Sequence, residues 1–191
     1  MYYTTTYSSP VGLLTLACDD NHLIGLWLEG QKYFGNHILE KAIVKDNLDI
    51  FYLTKKWLDR YFNQEKPSIQ ELPLSPIGSN FRQEVWKILC EIPYGQVITY
   101  GEIAKKMALK MHKKSMSAQA VGNAVGHNPI SIIIPCHRVI GTNKSLTGYA
   151  GGIDKKIKLL RLEGINTQEL IIPQKGTALY NLKYTIMEST L

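Results

Sequence analysis

Residues 128–141 read NPISIIIPCHRVIG, and this stretch carries the strongest chemical signal in the chain. The apolar run at residues 130–134 predicts a buried strand, which Pro135 ends because proline cannot continue a strand ladder. Cys136 and His137 follow at once, and a cysteine beside a histidine at the end of a rigid element can become a thiolate nucleophile. A buried, inert cysteine next to a surface histidine is the alternative, since free cysteine is among the most buried residue types.

Length and composition are those of one large domain or two small ones. The chain has 191 residues, of which 45% are hydrophobic and 20% charged, so it is long enough to bury a core. No apolar run approaches the roughly 18 residues of a membrane span, and the first residues lack the order of a secretory signal. The cysteines at 18, 90 and 136 form no Cys-x-x-Cys pair, which favours a reducing, cytoplasmic location.

Positive charge is concentrated in the middle of the chain. Residues 1–78 hold 7 basic and 9 acidic side chains, whereas residues 79–163 hold 13 basic and 5 acidic ones. A localised basic surface favours a polyanionic partner such as DNA. A solvated surface without a partner is the alternative that charge alone leaves open.

The N-terminal part predicts a small antiparallel sheet packed with helices. Strand-like segments, the first two joined by turn residues, lie at residues 2–7, 13–18 and 23–28. Apolar side chains at helical spacing predict a helix over residues 48–62. Cys18 and His22 alone do not complete a tetrahedral zinc site, so no metal is expected.

The C-terminal part is predicted to be mostly helical, which makes the chain an α+β protein. Helices are expected from residue 80, from Tyr100 behind a Thr99–Glu102 capping box, over Ala118–Gly126, and over residues 153–162. The second and third of these, joined by a basic connector, resemble a helix-turn-helix element that binds DNA.

The proline-rich segment at residues 64–79 has neither a helical nor a strand period and is the best domain boundary. We therefore expect an N-terminal domain over residues 1–75 and a C-terminal domain over residues 80–170. An extension is expected over residues 171–191.

The segment from Pro135 to Gly141 resembles the active-site motif of the O6-alkylguanine-DNA alkyltransferases, also called methylated-DNA–protein-cysteine methyltransferases. Further segments resemble that family in order and spacing: 81–86, 92–95, 99–102, 120–122, 128–129, 149–152 and 162–164. The resemblance covers about residues 80–164. Residues 1–63 fit the variable N-terminal domain of the family only loosely.

The resemblance implies a reaction and the residues that perform it. Cys136 is implied to accept an alkyl group from O6 of guanine, or from O4 of thymine, in duplex DNA, once per protein molecule and without a cofactor. His137 resembles the base that takes the thiol proton through a water, Glu163 its orienting carboxylate, and Asn128 the residue that braces the turn.

The resemblance also implies how the DNA is held. The partner is double-stranded DNA containing O6-alkylguanine, bound by a monomer, with the target nucleotide flipped out of the stack. The residues expected to hold the flipped base are Tyr100, Val139, Tyr149 and Ala150. The residues expected to contact DNA are Ala118, Gln119, Ala120, Gly122 and Arg138. The family commonly has an arginine where this chain has Gln119, a difference that predicts weaker flipping or affinity.

Two other functions compete with alkyl transfer. A non-catalytic module could recognise alkylated bases and recruit repair partners, although the presence of Cys136 argues against it. A Cys-His hydrolase with ordinary turnover is the third hypothesis, and the sequence contains no separate oxyanion-hole signature for it.

Overall fold

The computed structural model describes residues 1–35 and 37–172. Its strands are β1 (Tyr2–Ser9), β2 (Gly12–Cys18), β3 (Leu23–Leu28), β4 (Ala42–Val44), β5 (Ile98–Thr99) and β6 (Val139–Ile140). Its α-helices are α1 (Asp49–Phe62), α2 (Asn80–Cys90), α3 (Tyr100–Lys110), α4 (Ala118–Gly126) and α5 (Ile153–Leu162). In this part of the chain, no helix is long and apolar enough to cross a membrane. The predicted extension lies outside the described residues from position 173 onward.

The N-terminal strands form one four-stranded sheet in the order β3-β2-β1-β4. The predicted strands β1, β2 and β3 pair antiparallel, as expected. The sheet is nevertheless mixed, because β4 pairs with β1 in parallel. Strand β4 has 3 residues, too few to display a strand period, so the sequence pattern did not predict it.

Helix α1 packs against β1, β2 and β3, as its helical spacing predicts. Its buried side chains include Phe51, Leu58 and Tyr61, whereas Tyr52 points away from the sheet and is 59% exposed. Burying one large apolar side chain stabilises a fold by about 1.5 to 3 kcal/mol. The apolar face of α1 therefore fixes this helix on the sheet and carries Tyr61 into the interior.

The helices of the C-terminal part begin where their capping residues predict. Ser79 accepts a hydrogen bond from the N–H of Arg82 at the start of α2, and Ser117 accepts one from the N–H of Ala120 at the start of α4. At α3, the Thr99 and Glu102 side chains cap each other's backbone N–H groups. Each cap is worth about 1 kcal/mol.

The run at residues 130–134 is not a strand, contrary to the prediction. Only Ile130 makes a bridge, to Leu26 of β3, and the residues after it turn sharply. The N–H of Ile134 donates to the carbonyl of Ile130 at 3.0 Å, and Ile132 has a φ of 70°. A β-branched residue seldom adopts this left-handed conformation, so tertiary contacts overcome its local preference.

The free edge of β3 joins the two parts of the chain. The N–H of Leu26 donates to the Pro129 carbonyl, and the N–H of Ser131 donates to the Leu26 carbonyl, both at 2.8 Å. Leu23 exchanges similar bonds with Pro73 and Ser75 at 2.9 Å. One hydrophobic core then extends from the sheet through α1 to the C-terminal helices. The segment that precedes Cys136 is thus anchored on the N-terminal sheet.

The packing around Gly25 in β3 gives a test of this core. A Cβ at position 25 would lie 1.9 Å from Cη2 of the buried Trp27. Because overpacking a rigid core is destabilising, Gly25→Ala is expected to lower the free energy of unfolding by about 3 kcal/mol in a urea titration. Gly101→Ala is the control, because the nearest atom to its Cβ is 3.9 Å away. The control should be neutral or gain up to about 1 kcal/mol, and equal stability of the two variants would contradict this packing.

Candidate active site

Cys136 begins a short 3-10 helix, Cys136–Arg138, directly after Pro135. Its thiol is held by the side chain of Asn128, whose Nδ2 lies 3.1 Å from Sγ. The same Nδ2 donates to the Ile134 carbonyl at 2.8 Å, and Oδ1 accepts from the N–H of Ile130 at 3.0 Å. One buried amide therefore fixes both the shape of the turn and the position of the sulfur.

The surroundings of Cys136 favour the neutral thiol in the free protein. The residue is 4% exposed, and burial raises the pKa of its thiol. The hydrogen bond from Asn128 and the charge of Lys156 lower that pKa and so oppose the effect of burial. Ionisation of the thiol therefore depends on a base that can remove its proton.

His137 lies next to the thiol in sequence and is fully buried. Its Nε2 is 2.7 Å from Oε1 of Glu163, and its Nδ1 has no hydrogen-bond partner among the described residues. A carboxylate accepts protons and cannot donate them, so the short contact assigns the proton to Nε2. Burial lowers the pKa of His137 while Glu163 opposes that shift, which leaves a neutral imidazole with a free lone pair on Nδ1.

Glu163 follows the last residue of α5, where it forms a buried ion pair with Arg138. Arg138 Nε lies 2.8 Å from Oε2 and Nη2 lies 3.0 Å from Oε1, while the N–H of Gly95 is 3.2 Å from Oε2. Burial raises the pKa of Glu163, but the hydrogen bonds and charges of His137 and Arg138 outweigh it and hold the pKa well below its usual range. The carboxylate is therefore ionised in the folded protein at neutral pH.

The predicted role of Arg138 as a DNA contact does not agree with its position. The residue is 6% exposed, and its Nη1 donates to the Ile92 carbonyl at 2.6 Å. Its guanidinium is used to neutralise Glu163, which would otherwise be an unpaired buried charge. The sequence motif places an arginine here but does not reveal that the side chain turns inward.

A cavity of about 760 Å³ lies between α4 and the loop that follows β6. It is lined by six residues that the sequence predicted: Tyr100, Tyr149, Ala150, Ala118, Gln119 and Gly122. Burial raises the pKa of Tyr100 and of Tyr149. Both tyrosines are therefore neutral phenols on the walls of the cavity.

Besides Arg138, two predicted contact residues lie outside the lining of this cavity. Val139 is fully buried, and its carbonyl already accepts a hydrogen bond from Lys156 Nζ at 2.6 Å. Ala120, on α4, is half-buried. Helix α4 and the Thr147–Ala150 segment therefore line the cavity, and Val139 does not.

Tyr100 closes one side of the cavity through its hydroxyl, which donates to the Gly148 carbonyl at 2.7 Å. Gly148 has a φ of 76°, and a Cβ there would lie 2.4 Å from the Tyr100 oxygen. Only glycine fits that conformation next to the phenol without strain. The loop around Gly148 therefore fits against Tyr100 only with glycine at this position.

The N-terminal part also supplies a wall that the sequence did not predict. Gly30, Lys32 and Tyr33 line the cavity. The N–H of Lys32 donates to the Ala150 carbonyl at 2.9 Å, and the Tyr33 ring stacks on His127 at a centroid distance of 3.9 Å. These residues follow β3 in a loop without a motif, so only the fold brings them to the cavity.

Two further residues in the site carry no motif. Lys156 is fully buried, and its Nζ donates to the carbonyls of Val139 at 2.6 Å and Thr147 at 3.1 Å. Its position among the apolar residues of α5 could have marked Lys156 in the sequence, because a lysine is rarely buried unless its charge has a partner. Tyr61 donates to Glu163 Oε1 at 2.7 Å, and its sequence context is that of an ordinary core tyrosine.

Residues 80–165 match the family described as 6-O-methylguanine DNA methyltransferase, DNA binding domain, and residues 1–76 match its ribonuclease-like domain. The chain belongs to the 6-O-methylguanine DNA methyltransferase family. This membership confirms the family and the α+β fold class that the sequence predicted.

Similar proteins of this methyltransferase family come from distant organisms. The methylated-DNA–protein-cysteine methyltransferase of Haemophilus influenzae is 41% identical over 85% of this chain and 87% of that protein. Its counterpart from Methanosarcina acetivorans is 42% identical over 86% of this chain and 99% of that protein.

Solved structures of the family share the fold. The Mycobacterium tuberculosis O6-methylguanine methyltransferase is 40% identical, with a TM-score of 0.72 over 85% of this chain and 93% of that one. The M. tuberculosis OGT in complex with DNA is 38% identical, with a TM-score of 0.71 over 88% of this chain and 94% of that one.

Burial of Lys156 in this methyltransferase predicts a stability that rises with pH. Burial lowers the pKa of Lys156 from 10.5 to about 7, so between these values the unfolded chain binds a proton that the folded protein does not. The wild type should therefore gain stability over Lys156→Met by up to about 1.4 kcal/mol per pH unit in that range. Urea titrations at several pH values measure this gap. The exposed Lys158→Met is the control, and a gap for Lys156→Met that stays level with pH would refute the prediction.

Proposed function

We propose that this member of the family repairs DNA through Cys136, which takes the alkyl group from O6 of guanine. The chain is a methylated-DNA–protein-cysteine methyltransferase, whose activity is direct transfer of the group from duplex DNA to the protein. The observation that supports the role of Cys136 is the hydrogen bond from the Asn128 amide to its sulfur, directly before the buried His137–Glu163 pair in the chain. Nδ1 of His137 has no hydrogen-bond partner among residues 1–35 and 37–172, and we assign it as the acceptor of the thiol proton.

The proposed reaction is a single displacement. The thiol proton passes through a water to Nδ1 of His137, and the imidazolium that forms is stabilised by Glu163. The sulfur then attacks the alkyl carbon, a C–S bond forms, and the bond from that carbon to O6 breaks. The electron pair of the broken bond stays with the guanine, which recovers its proton from solvent or from His137. The thioether on Cys136 has no leaving group, so each molecule reacts once.

Entry of the alkylated base requires a change at the cavity. The target oxygen lies inside the duplex stack, so the nucleotide must be flipped out at a cost of a few kcal/mol. The proposed pocket lies between Tyr149 and the Tyr100–Gly148 hydrogen bond, which has to yield when a purine enters. We assign Tyr100, Tyr149 and Ala150 to the walls that hold the flipped base.

Helix α4 is proposed to lie in the minor groove of the duplex. Its cavity-facing residues Ala118, Gln119 and Gly122 are small or uncharged, which permits a close approach to the DNA. The connector before it carries Lys113 and Lys114, both exposed, which can contact phosphates. Binding should therefore be sensitive to salt and only weakly specific for sequence.

We also propose a division of the chain into two domains and a cellular location for the protein. We assign residues 1–75 to an N-terminal domain and residues 80–170 to the domain that binds DNA and accepts the alkyl group. A cytoplasmic location is supported by the three cysteines, Cys18, Cys90 and Cys136, which are all free.

Intact-mass measurement tests the transfer directly. After mixing with an oligonucleotide duplex that contains O6-methylguanine, the protein should gain one methyl group, and peptide mapping should place it on Cys136. Cys136→Ser is the matched control and should bind the duplex without gaining mass. Lesion-specific binding without transfer by the wild type would favour the recognition module. Sustained release of product from esters or amides would favour the hydrolase.

Gln119 provides a second test, because it is exposed on α4 and lines the cavity. An arginine there keeps hydrogen-bonding capacity and adds a charge that attracts phosphate. Gln119→Arg is therefore expected to accelerate methyl transfer under limiting DNA by about threefold to tenfold. The gain should shrink as salt increases, and Gln119→Met, which removes the polar end, should slow transfer. A Gln119→Arg variant no faster than the wild type would show that this position does not limit flipping or affinity.

A further inference from the structure

Tyr61 connects the N-terminal helix to the pair proposed to activate the thiol. It lies in the last turn of α1 and is 1% exposed. Its hydroxyl donates to Oε1 of Glu163 at 2.7 Å and lies 3.4 Å from Nε2 of His137. The phenol oxygen therefore lies next to both members of the His137–Glu163 pair.

We propose that Tyr61 is a positioning residue for alkyl transfer, which fixes the tautomer and the proton affinity of His137 through Glu163. This inference rests on the proposed role of His137 as the base. It assigns the N-terminal part of the chain a direct role in the reaction, in addition to the cavity wall at Gly30–Tyr33.

Both carboxylate oxygens of Glu163 accept several hydrogen bonds. Oε1 accepts from Tyr61 Oη, from His137 Nε2 and from Arg138 Nη2, while Oε2 accepts from Arg138 Nε and from the N–H of Gly95. A carboxylate has only about four lone-pair sites, so these donors share its charge. Each donor that is added weakens the pull of the carboxylate on the proton of His137.

Tyr61 also reinforces the tautomer that the contact with Glu163 sets. Because its hydroxyl proton is used on Glu163, the phenol faces His137 Nε2 with a lone pair. Nε2 then has two acceptor oxygens nearby, at 2.7 Å and 3.4 Å, so it must carry the proton of the neutral ring. Nδ1 is left unprotonated, which is the state that can accept a proton from Cys136.

Several other ionisable groups face this pair, and a change at Tyr61 leaves all of them in place. They are Arg138 and Cys136 beside His137, Lys156 of α5, Tyr94 of the turn before β5, and Tyr149 of the loop after β6. A shift in the titration of His137 after removal of the Tyr61 hydroxyl is therefore attributable to that hydroxyl.

The test is the pH dependence of single-turnover methyl transfer by Tyr61→Phe. Loss of one donor makes Glu163 a stronger partner for the imidazolium, so His137 should be protonated at higher pH. The acid limb of the rate profile is expected to move up by about half to one pH unit, which lowers the rate on that limb by about threefold to tenfold. A limb that stays at the wild-type pH would overturn the positioning role.

Tyr94→Phe is the matched control. The Tyr94 hydroxyl donates to the Leu162 carbonyl at 3.1 Å, and its ring packs on Tyr61 at 6.0 Å between centroids. This variant loses a neighbouring phenol oxygen but no donor to Glu163, so its acid limb should coincide with that of the wild type. An equal shift in both variants would mean that general loosening, and not the Glu163 hydrogen bond, moves the profile.

A measurement on the wild type covers the case in which Tyr61→Phe does not fold. The ¹⁵N chemical shifts of His137 should report a protonated Nε2 and an unprotonated Nδ1 near neutral pH. The opposite tautomer would refute the role assigned to Tyr61. Failure of the wild type to gain a methyl group on Cys136 would be a different result, which overturns the proposed function together with this inference.

Discussion

The buried carboxylate of Glu163 is the constraint around which the site is organised. An ionised carboxylate in a protein interior costs several kcal/mol unless hydrogen bonds and an opposite charge compensate it. The compensating groups come from α1, from the turn at Gly95 and from the Cys136–Arg138 segment. Burial of the carboxylate therefore depends on all of these elements. The same carboxylate holds the ring of His137, the residue after Cys136, through a 2.7 Å contact to Nε2.

The turn before Cys136 is held by a second buried polar group, the amide of Asn128. It satisfies backbone groups of Ile130 and Ile134 and reaches the sulfur as well. These bonds, together with the pairing on β3, stabilise a turn in which Ile132 has a positive φ. Local strain at a reactive site persists when the surrounding structure determines the conformation. Here the hydrogen bonds to β3 of the N-terminal sheet help to fix that conformation.

Burial keeps the ionisable groups of the site close to neutral. The pKa of the Cys136 thiol is raised, and the pKa values of His137 and Lys156 are lowered. Glu163 and Arg138 are charged, and within their buried ion pair those charges neutralise each other. A neutral thiol reacts slowly with oxidants and stray electrophiles, because the thiolate is the reactive form. Such protection suits a cysteine that is proposed to be used once.

The helix starts and the identity of the nucleophile follow from the sequence alone. Helix starts at Ser79, Thr99 and Ser117 follow from capping, since a side chain three residues away satisfies the first N–H groups. The segment from Pro135 to Gly141, with its flanking motifs, identified the family and the nucleophile. These features depend on neighbours in the sequence, and so they can be read without the fold.

Contacts between residues that are far apart in the sequence are visible only in the tertiary structure. It turned the run at residues 130–134 away from strand geometry, directed Arg138 inward to Glu163, and placed Lys156 and Tyr61 in the site. Tyr61 and Glu163 are 102 residues apart in the chain, so no local pattern records their hydrogen bond. The physical reason is that burial of a charge is compensated by whichever donors the fold brings near, and the sequence alone does not show which ones they are.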